Sequence, residues 1–203
     1  TIREPLPAQK ELTAAVEEHW VDMMHTAFRK AAEQGPLPRF QKAMVEIMPY
    51  VDVVIGNEED FETMLGIKAD NTDQNFSKLD PESYRGVAQK VMEKYPNVIC
   101  VGTSLREVTS ACLNNWRTVM MTRNGFFVSR KYDNIEIYDR VGGGDSFASA
   151  LIWGFLEGHP EQEVIDFAAA YSALCHTIRN DWNLVTTEEA YDVMKGGSAR
   201  VKR

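Results

Sequence analysis

The chain has 203 residues, 44% hydrophobic and 26% charged, with 13 glycines and 8 prolines, proportions that exclude a mostly disordered or collagen-like polypeptide. That length corresponds to one domain, with or without an appendage, and it buries a sizeable core. A formal charge of −8 argues against unselective affinity for nucleic acid or anionic membrane, so phosphate, if bound, is held in a local basic pocket.

Residues 7–34 carry apolar side chains at Leu12, Val16, Trp20, Met23, Met24, Ala27 and Phe28, spaced three and four apart, the pattern of a long amphipathic helix. Gly35, Pro36 and Pro38 end it. Residues 40–48 read as a second, short helix stopped by Pro49, and the β-branched run 51–55 reads as a buried strand. That strand empties at Gly56 and Asn57 into a helix over 58–65, whose Asp60 and Glu62 suit the positive end of the helix dipole. The order repeats with a helix over 81–94, a strand over 98–101 and a polar exit over 102–107. Alternating units of this kind imply an α/β fold with a parallel sheet covered by helices. Residues 112–121 and 125–138 then alternate apolar and polar across a turn at Arg123, Asn124 and Gly125, which fits an antiparallel hairpin and makes the sheet mixed. Helices are expected over 146–156, 161–177 and 186–194.

Cys100, Cys112 and Cys175 are too widely spaced for a C-x-x-C metal site, and an odd number does not make a disulfide framework. A reducing, cytoplasmic location is the simplest expectation. No stretch approaches the roughly 20 apolar residues of a membrane span, and the N-terminus lacks the order of a signal peptide. The chain begins at Thr1 rather than at methionine, which fits processing or truncation.

Asp139-Arg140-Val141-Gly142-Gly143-Gly144-Asp145-Ser146-Phe147 follows a strand and opens a helix. Three residues without Cβ atoms let successive N–H groups approach an anion, and the helix start adds its positive dipole end. Asp145 immediately after such a nest repels a bound phosphate but suits a general base that takes the proton of an attacking hydroxyl. The alternative is a plain tight connection with Asp145 as a helix cap. The segment matches neither G-x-x-x-x-G-K-[ST] nor G-x-G-x-x-G. His176, on a helix beside Leu174, Cys175 and Ile178, reads as packed or nucleotide-adjacent rather than catalytic.

Residues 139–147 resemble the second signature of the ribokinase-like, or PfkB, carbohydrate kinases, with Gly143 where many members have alanine. Residues 51–60, V-D-V-V-I-G-N-E-E-D, are similar to the strand and N-x-x-E metal motif of that family. Ser104-Leu105-Arg106-Glu107 and the tail 172–186 are similar to its 2-keto-3-deoxygluconate kinase branch. The resemblance implies ATP-dependent phosphorylation of a sugar-acid hydroxyl by a ribokinase-like layered fold with a mostly parallel sheet flanked by helices. It implies that Gly142, Gly143 and Gly144 form an anion hole and that Asp145 is the catalytic base. Arg106 reaches between sugar acid and phosphates, Asp181 contacts the substrate, and Ser104 and Leu105 lie along the nucleotide. Arg106 as a solvated surface residue is the other reading, although its planar fork suits both carboxylate and phosphate. Asn57 and Asp60 hold water around Mg²⁺; the family's fourth position is usually glutamate, so Glu59 is an alternative to Asp60. A valine at 143 is expected to damage nucleotide binding more than folding.

The family's N-terminal strands, sugar-holding glycine pair and β lid have no counterpart in residues 1–50. The expected organisation is a helical segment, 1–49, before the nucleotide-binding and catalytic part of a sugar kinase, 50–203. The rival function is a catalytically incomplete nucleotide-binding or assembly module. A sheet short of neighbouring strands exposes an edge, so an oligomer or a partner-dependent protein is expected. Its other partners are ATP and a small sugar acid, without nucleic acid or membrane.

Overall fold

The computed structural model describes residues 39–68, 81–110, 112–179 and 182–196. The helix expected over 7–34 lies outside them. In chain order come α1 (Arg39–Ile47), a 3-10 turn (Met48–Tyr50), β1 (Val53–Ile55), α2 (Glu58–Leu65), α3 (Pro81–Lys94) and β2 (Cys100–Ser110). They are followed by β3 (Leu113–Thr122), β4 (Gly125–Val128), β5 (Tyr132–Glu136), α4 (Gly143–Leu156), α5 (Glu161–Cys175) and α6 (Thr187–Met194).

The sheet runs β1-β2-β3-β4, with β5 also paired to β3. β1 and β2 are parallel, in register Ile55 to Gly102, and the other described pairs are antiparallel. The sheet is therefore mixed, with a smaller parallel share than the strand–helix alternation implied. The cause is the short connections after β2, because parallel neighbours need a crossover of a dozen residues or more.

β2 does not stop at Val101. It continues through Ser104, Leu105 and Arg106 to Ser110, paired with β3 from Cys100–Thr122 to Ser110–Leu113. The polar composition of 102–107 reads as an exit, but ladder hydrogen bonds hold a strand whatever its side chains when a long partner lies alongside. The expected strand 125–138 is divided into β4 and β5 at residues 129–131, where Ser129 turns inward and its hydroxyl accepts from the Thr118 amide at 2.9 Å.

Alternation sends successive side chains of β2 and β3 to opposite faces. Val101 joins Phe61, Val87 and Val91 on the α2 and α3 side, and Leu105 joins Tyr84 and Val119 there. Cys100 and Met120 face α4 and α5, with Phe147, Leu151 and Ile165. Burial of each large apolar side chain contributes roughly 1.5–3 kcal/mol. α5 is tied along β3 by Thr122 Oγ1 donating to Glu161 at 2.6 Å, Thr118 Oγ1 to the Ile165 carbonyl at 3.2 Å and Trp116 Nε1 to Ser172 Oγ at 2.8 Å. α4 lies antiparallel to α5, since Gly154 meets Val164 near one end and Gly143 meets His176 at the other. This arrangement carries the start of α4 to the end of the sheet where β1 finishes.

Candidate active site

The site is built at the carboxyl end of β1, the place where open α/β sheets expose loops and helix starts to ligands. Gly56 N donates to Gly102 O at 3.2 Å, so β1 leaves the sheet beside Gly102 and Asn57 opens α2. On β2, Gly102 is bare against α4: a Cβ there would lie 3.1 Å from Leu151 and 3.3 Å from Phe147. α4 thus packs directly on β2, and its glycine-rich start projects past Gly102 towards Ser104 and Arg106. Cross-strand register pairs Ser104 with Thr118 and Arg106 with Trp116. Both predicted residues therefore share the α4–α5 face. Leu105 does not. Its side chain, 4% exposed, packs with Tyr84 and Val119 on the opposite face, so it can meet a nucleotide through its main chain alone.

The loop into α4 is fixed by short-range hydrogen bonds. The Asp139 carboxylate accepts from the amides of Arg140 at 2.7 Å and Val141 at 3.1 Å, the local turn that a short acidic side chain favours. The amides of Tyr138 and Asp139 donate to the His176 carbonyl at 2.8 and 3.3 Å. Gly142 then takes φ 82°, a left-handed conformation that glycine adopts without a Cβ penalty, and serves as N-cap with no side-chain cap. Among the described residues, the donors of the first turn of α4 therefore have no side-chain cap at the positive end of a 14-residue helix. Asp145 is in that turn, exposed, with no hydrogen bond or ion pair from its side chain among the described residues. The N-cap position belongs to Gly142, so Asp145 does not cap the helix.

Gly143 is buried against the His176 ring, and a Cβ at 143 would sit 2.7 Å from two ring atoms. A valine here strikes a buried imidazole, so it carries a direct packing cost that the sequence expectation left out. Nδ1 of His176 lies 2.7 Å from the Ser172 carbonyl. Burial, foremost, holds the imidazole below its usual pKa; the Ser172 carbonyl opposes this, and the positive charges of Arg106 and Arg140 add to the depression. Arg106 from β2 and Arg140 from the loop thus bring positive charge to the His176 ring on which Gly143 packs.

Asn183 was not singled out by sequence, yet it clamps the site. Its Nδ2 donates to Ser146 Oγ and to the Tyr171 carbonyl, both at 3.1 Å, and its Oδ1 accepts from Val185 N at 3.1 Å. An isolated asparagine in a polar tail carries no pattern that would reveal this. Asp181, two residues earlier, lies outside the described residues.

Asn57 and Asp60 stand at the end of the sheet where β1 finishes, but they are occupied with each other. Asn57 Oδ1 accepts from Asp60 N at 3.0 Å, and Asp60 Oδ2 accepts from Asn57 N at 2.9 Å, a reciprocal capping box that starts α2. The side chain of Glu59 lies outside what is described. Among the described residues no group of three or more His, Cys, Asp or Glu side chains could hold a metal ion. One carboxylate and one amide fit Mg²⁺ through its own water shell rather than in an all-protein cage, which is the usual habit of Mg²⁺.

The pfkB family carbohydrate kinase profile matches residues 10–183, starting upstream of the first motif at residue 51. The crystal structure of 2-dehydro-3-deoxygluconokinase from Thermotoga maritima is similar at 43% identity and a TM-score of 0.70, over 77% of this chain and 45% of that one. A 5-dehydro-2-deoxygluconokinase from Clostridium perfringens is 29% identical over 126 residues, 61% of this chain and 30% of the relative. An Escherichia coli protein provisionally called ribokinase II, solved with ATP and Mg²⁺, shares the fold at 16% identity and a TM-score of 0.55, over 79% of this chain and 44% of that one. The chain thus spans less than half the length of these relatives. No helix among the described residues is long and apolar enough to cross a membrane. With its glycine-rich helix start, its mixed sheet with flanking helices and this family match, the chain belongs to the pfkB family of carbohydrate kinases.

Proposed function

We propose that the chain supplies the nucleotide-binding and catalytic part of a cytoplasmic ATP-dependent sugar-acid kinase acting on 2-keto-3-deoxygluconate or a close analogue. One observation carries the reading: a helix start with no side-chain cap, made of Gly142, Gly143 and Gly144, stands on the same sheet face as Arg106 with Asp145 exposed in its first turn. In the reaction, Asp145 takes the proton of the attacking hydroxyl. The hydroxyl oxygen of the sugar bonds to the γ-phosphorus as the bond from that phosphorus to the bridging oxygen breaks and ADP leaves. The amides of the glycine segment stabilise charge on the transferring phosphoryl group. Arg106 spans the sugar carboxylate and the phosphates, for which its planar fork is suited. Ser104 lies along the nucleotide with the main chain of Leu105, and Asp181 contacts the sugar. Asn57 and Asp60 would hold Mg²⁺ through its water shell, and the ion would neutralise phosphate charge.

The reading includes assembly. β1 pairs with β2 alone among the described strands, and α4 exposes Ile152 at 47% and Leu156 at 81%. A strand paired on one side only among the described residues, together with exposed apolar side chains, favours a second copy or a partner. Residues 50–203 then form the proposed functional unit, and of the segment before it Met48 is buried in the same core as Phe61 and Leu65. The alternative, a nucleotide-binding assembly module without its own turnover, is favoured by the same edge. A panel of sugar acids and neutral sugars, assayed by coupled ADP release alongside light scattering, separates the readings. An oligomer with slow, acid-selective ADP release supports the kinase; ATP binding without sugar-dependent release supports the module. A preference for neutral sugars rejects the substrate class.

A further inference from the structure

Gly143 and His176 approach more closely than any side chain at 143 allows. A Cβ at 143 would lie 2.7 Å from Cε1 and from Nε2 of the ring, well inside ordinary contact distance. The ring has little room to yield. It is 4% exposed, and Nδ1, 2.7 Å from the Ser172 carbonyl, carries the hydrogen that this acceptor requires. The other ring nitrogen, Nε2, is left as the bare edge towards Gly143. Trp116 lies against the ring with centroids 4.4 Å apart. Its own indole N–H is fixed on Ser172 Oγ at 2.8 Å, and Ser172 Oγ in turn donates to the Ala168 carbonyl at 2.6 Å. One turn of α5 and one residue of β3 thus make a wall of hydrogen-bonded and packed groups.

His176 also holds the other end of the same loop. Its carbonyl receives the amides of Tyr138 and Asp139, at the entry to the segment whose exit is Gly143. A single residue therefore grips the loop twice, by main chain at its start and by ring at its finish, and the stretch between carries Gly142 in its left-handed turn.

We infer that His176 is a positioning residue for the anion-binding segment, its imidazole being the template on which Gly143 is seated and the reason that position is glycine in this chain. The ring acts through the backbone it seats. It fixes the direction of the first-turn amides of α4, and with them the seat for a nucleoside polyphosphate. That functional consequence rests on the kinase reading; the seating of the loop does not.

Four proteins test it: the wild-type chain, Gly143→Ala, His176→Asn and the double variant. Asparagine keeps an N–H donor near the place of Nδ1 and removes the ring edge that faces 143. The readouts are amide hydrogen exchange across residues 139–147 and titration with MgADP. Gly143→Ala alone is expected to speed exchange and weaken MgADP by at least about tenfold each, and adding His176→Asn to bring both within about threefold of wild type, the non-additivity typical of groups in direct contact. A role confined to packing lowers Tm but leaves the MgADP affinity of the folded protein unmoved, and that result overturns the inference. So do equal effects of Gly143→Ala in the two backgrounds. If Gly143→Ala is insoluble, recovery of soluble protein in the double variant replaces that comparison, and its absence counts against the inference. His176→Asn alone must still speed exchange across the loop, and unchanged exchange overturns the inference. Exchange coupling in a wild-type chain that binds no MgADP supports the seating and rejects the kinase reading.

Discussion

Phe147→Ala tests how firmly α4 is anchored on the sheet. Phe147 is fully buried, in the cluster with Cys100, Met120, Leu151 and Ile165, and its ring edge faces bare Gly102, where a Cβ would lie 3.3 Å from Cζ. Alanine leaves a void whose floor is a glycine with no side chain to fill it, so the cavity stays open and the cost falls in the full large-to-small range of about 3–5 kcal/mol. With a urea dependence of about 2 kcal/mol per molar, the unfolding midpoint drops by roughly 1.5–2.5 M. Leu156→Ala, on the same helix but 81% exposed, serves as the control and shifts stability by less than about 0.5 kcal/mol. Equilibrium urea unfolding followed by circular dichroism reads both. A shift below about 0.5 M for Phe147→Ala, or one equal to the control, refutes the claim that α4 is held on β2 through this contact.

Three further outcomes are expected. Asn183→Ala removes bonds to Ser146, Tyr171 and Val185 and costs about 1–3 kcal/mol; an unchanged urea midpoint contradicts the clamp. Trp116→Phe keeps the ring contact with His176 but deletes the donor to Ser172 Oγ, lowering stability by about 1–2 kcal/mol, and a neutral effect in thermal unfolding shows that water replaces the bond. Burial and the charges of Arg106 and Arg140 lower the pKa of His176 from 6.5, so the unfolded chain binds the proton more tightly and stability falls as pH drops below about 6.5. Urea titrations at pH 7.5, 6.5 and 5.5 read this slope, and His176→Asn retains the same slope only if another group is responsible.

The sequence shows the fold where periodicity and chemistry agree. The helices Glu58–Leu65 and Pro81–Lys94 have the expected bounds because Asn57 caps the first and Pro81 opens the second. The glycine run before Phe147 is legible as a helix start, because Gly142 takes the left-handed N-cap conformation that favours glycine. The extent of β2 is hidden because Thr103, Ser104, Arg106 and Glu107 have the composition of a loop, and the partner that holds them, β3, is set by long-range pairing. That pairing also decides that Ser104 and Arg106 face α4 while Leu105 turns to Tyr84, which a linear motif does not distinguish. The role of Asn183 and the contact between His176 and Gly143 join residues more than thirty positions apart, so neither leaves a local pattern.

Asp145 as the proton acceptor in phosphoryl transfer to a sugar acid is the central proposal. The direct measurement is transfer of labelled γ-phosphate from ATP to 2-keto-3-deoxygluconate by the assembled wild-type protein and by Asp145→Asn, with MgADP affinity measured on the same samples. The asparagine keeps size and removes the base, so transfer is expected to fall at least about a hundredfold while MgADP affinity stays within about threefold. Labelled sugar formed by Asp145→Asn at the wild-type rate, or no labelled sugar from the wild-type protein, contradicts the account.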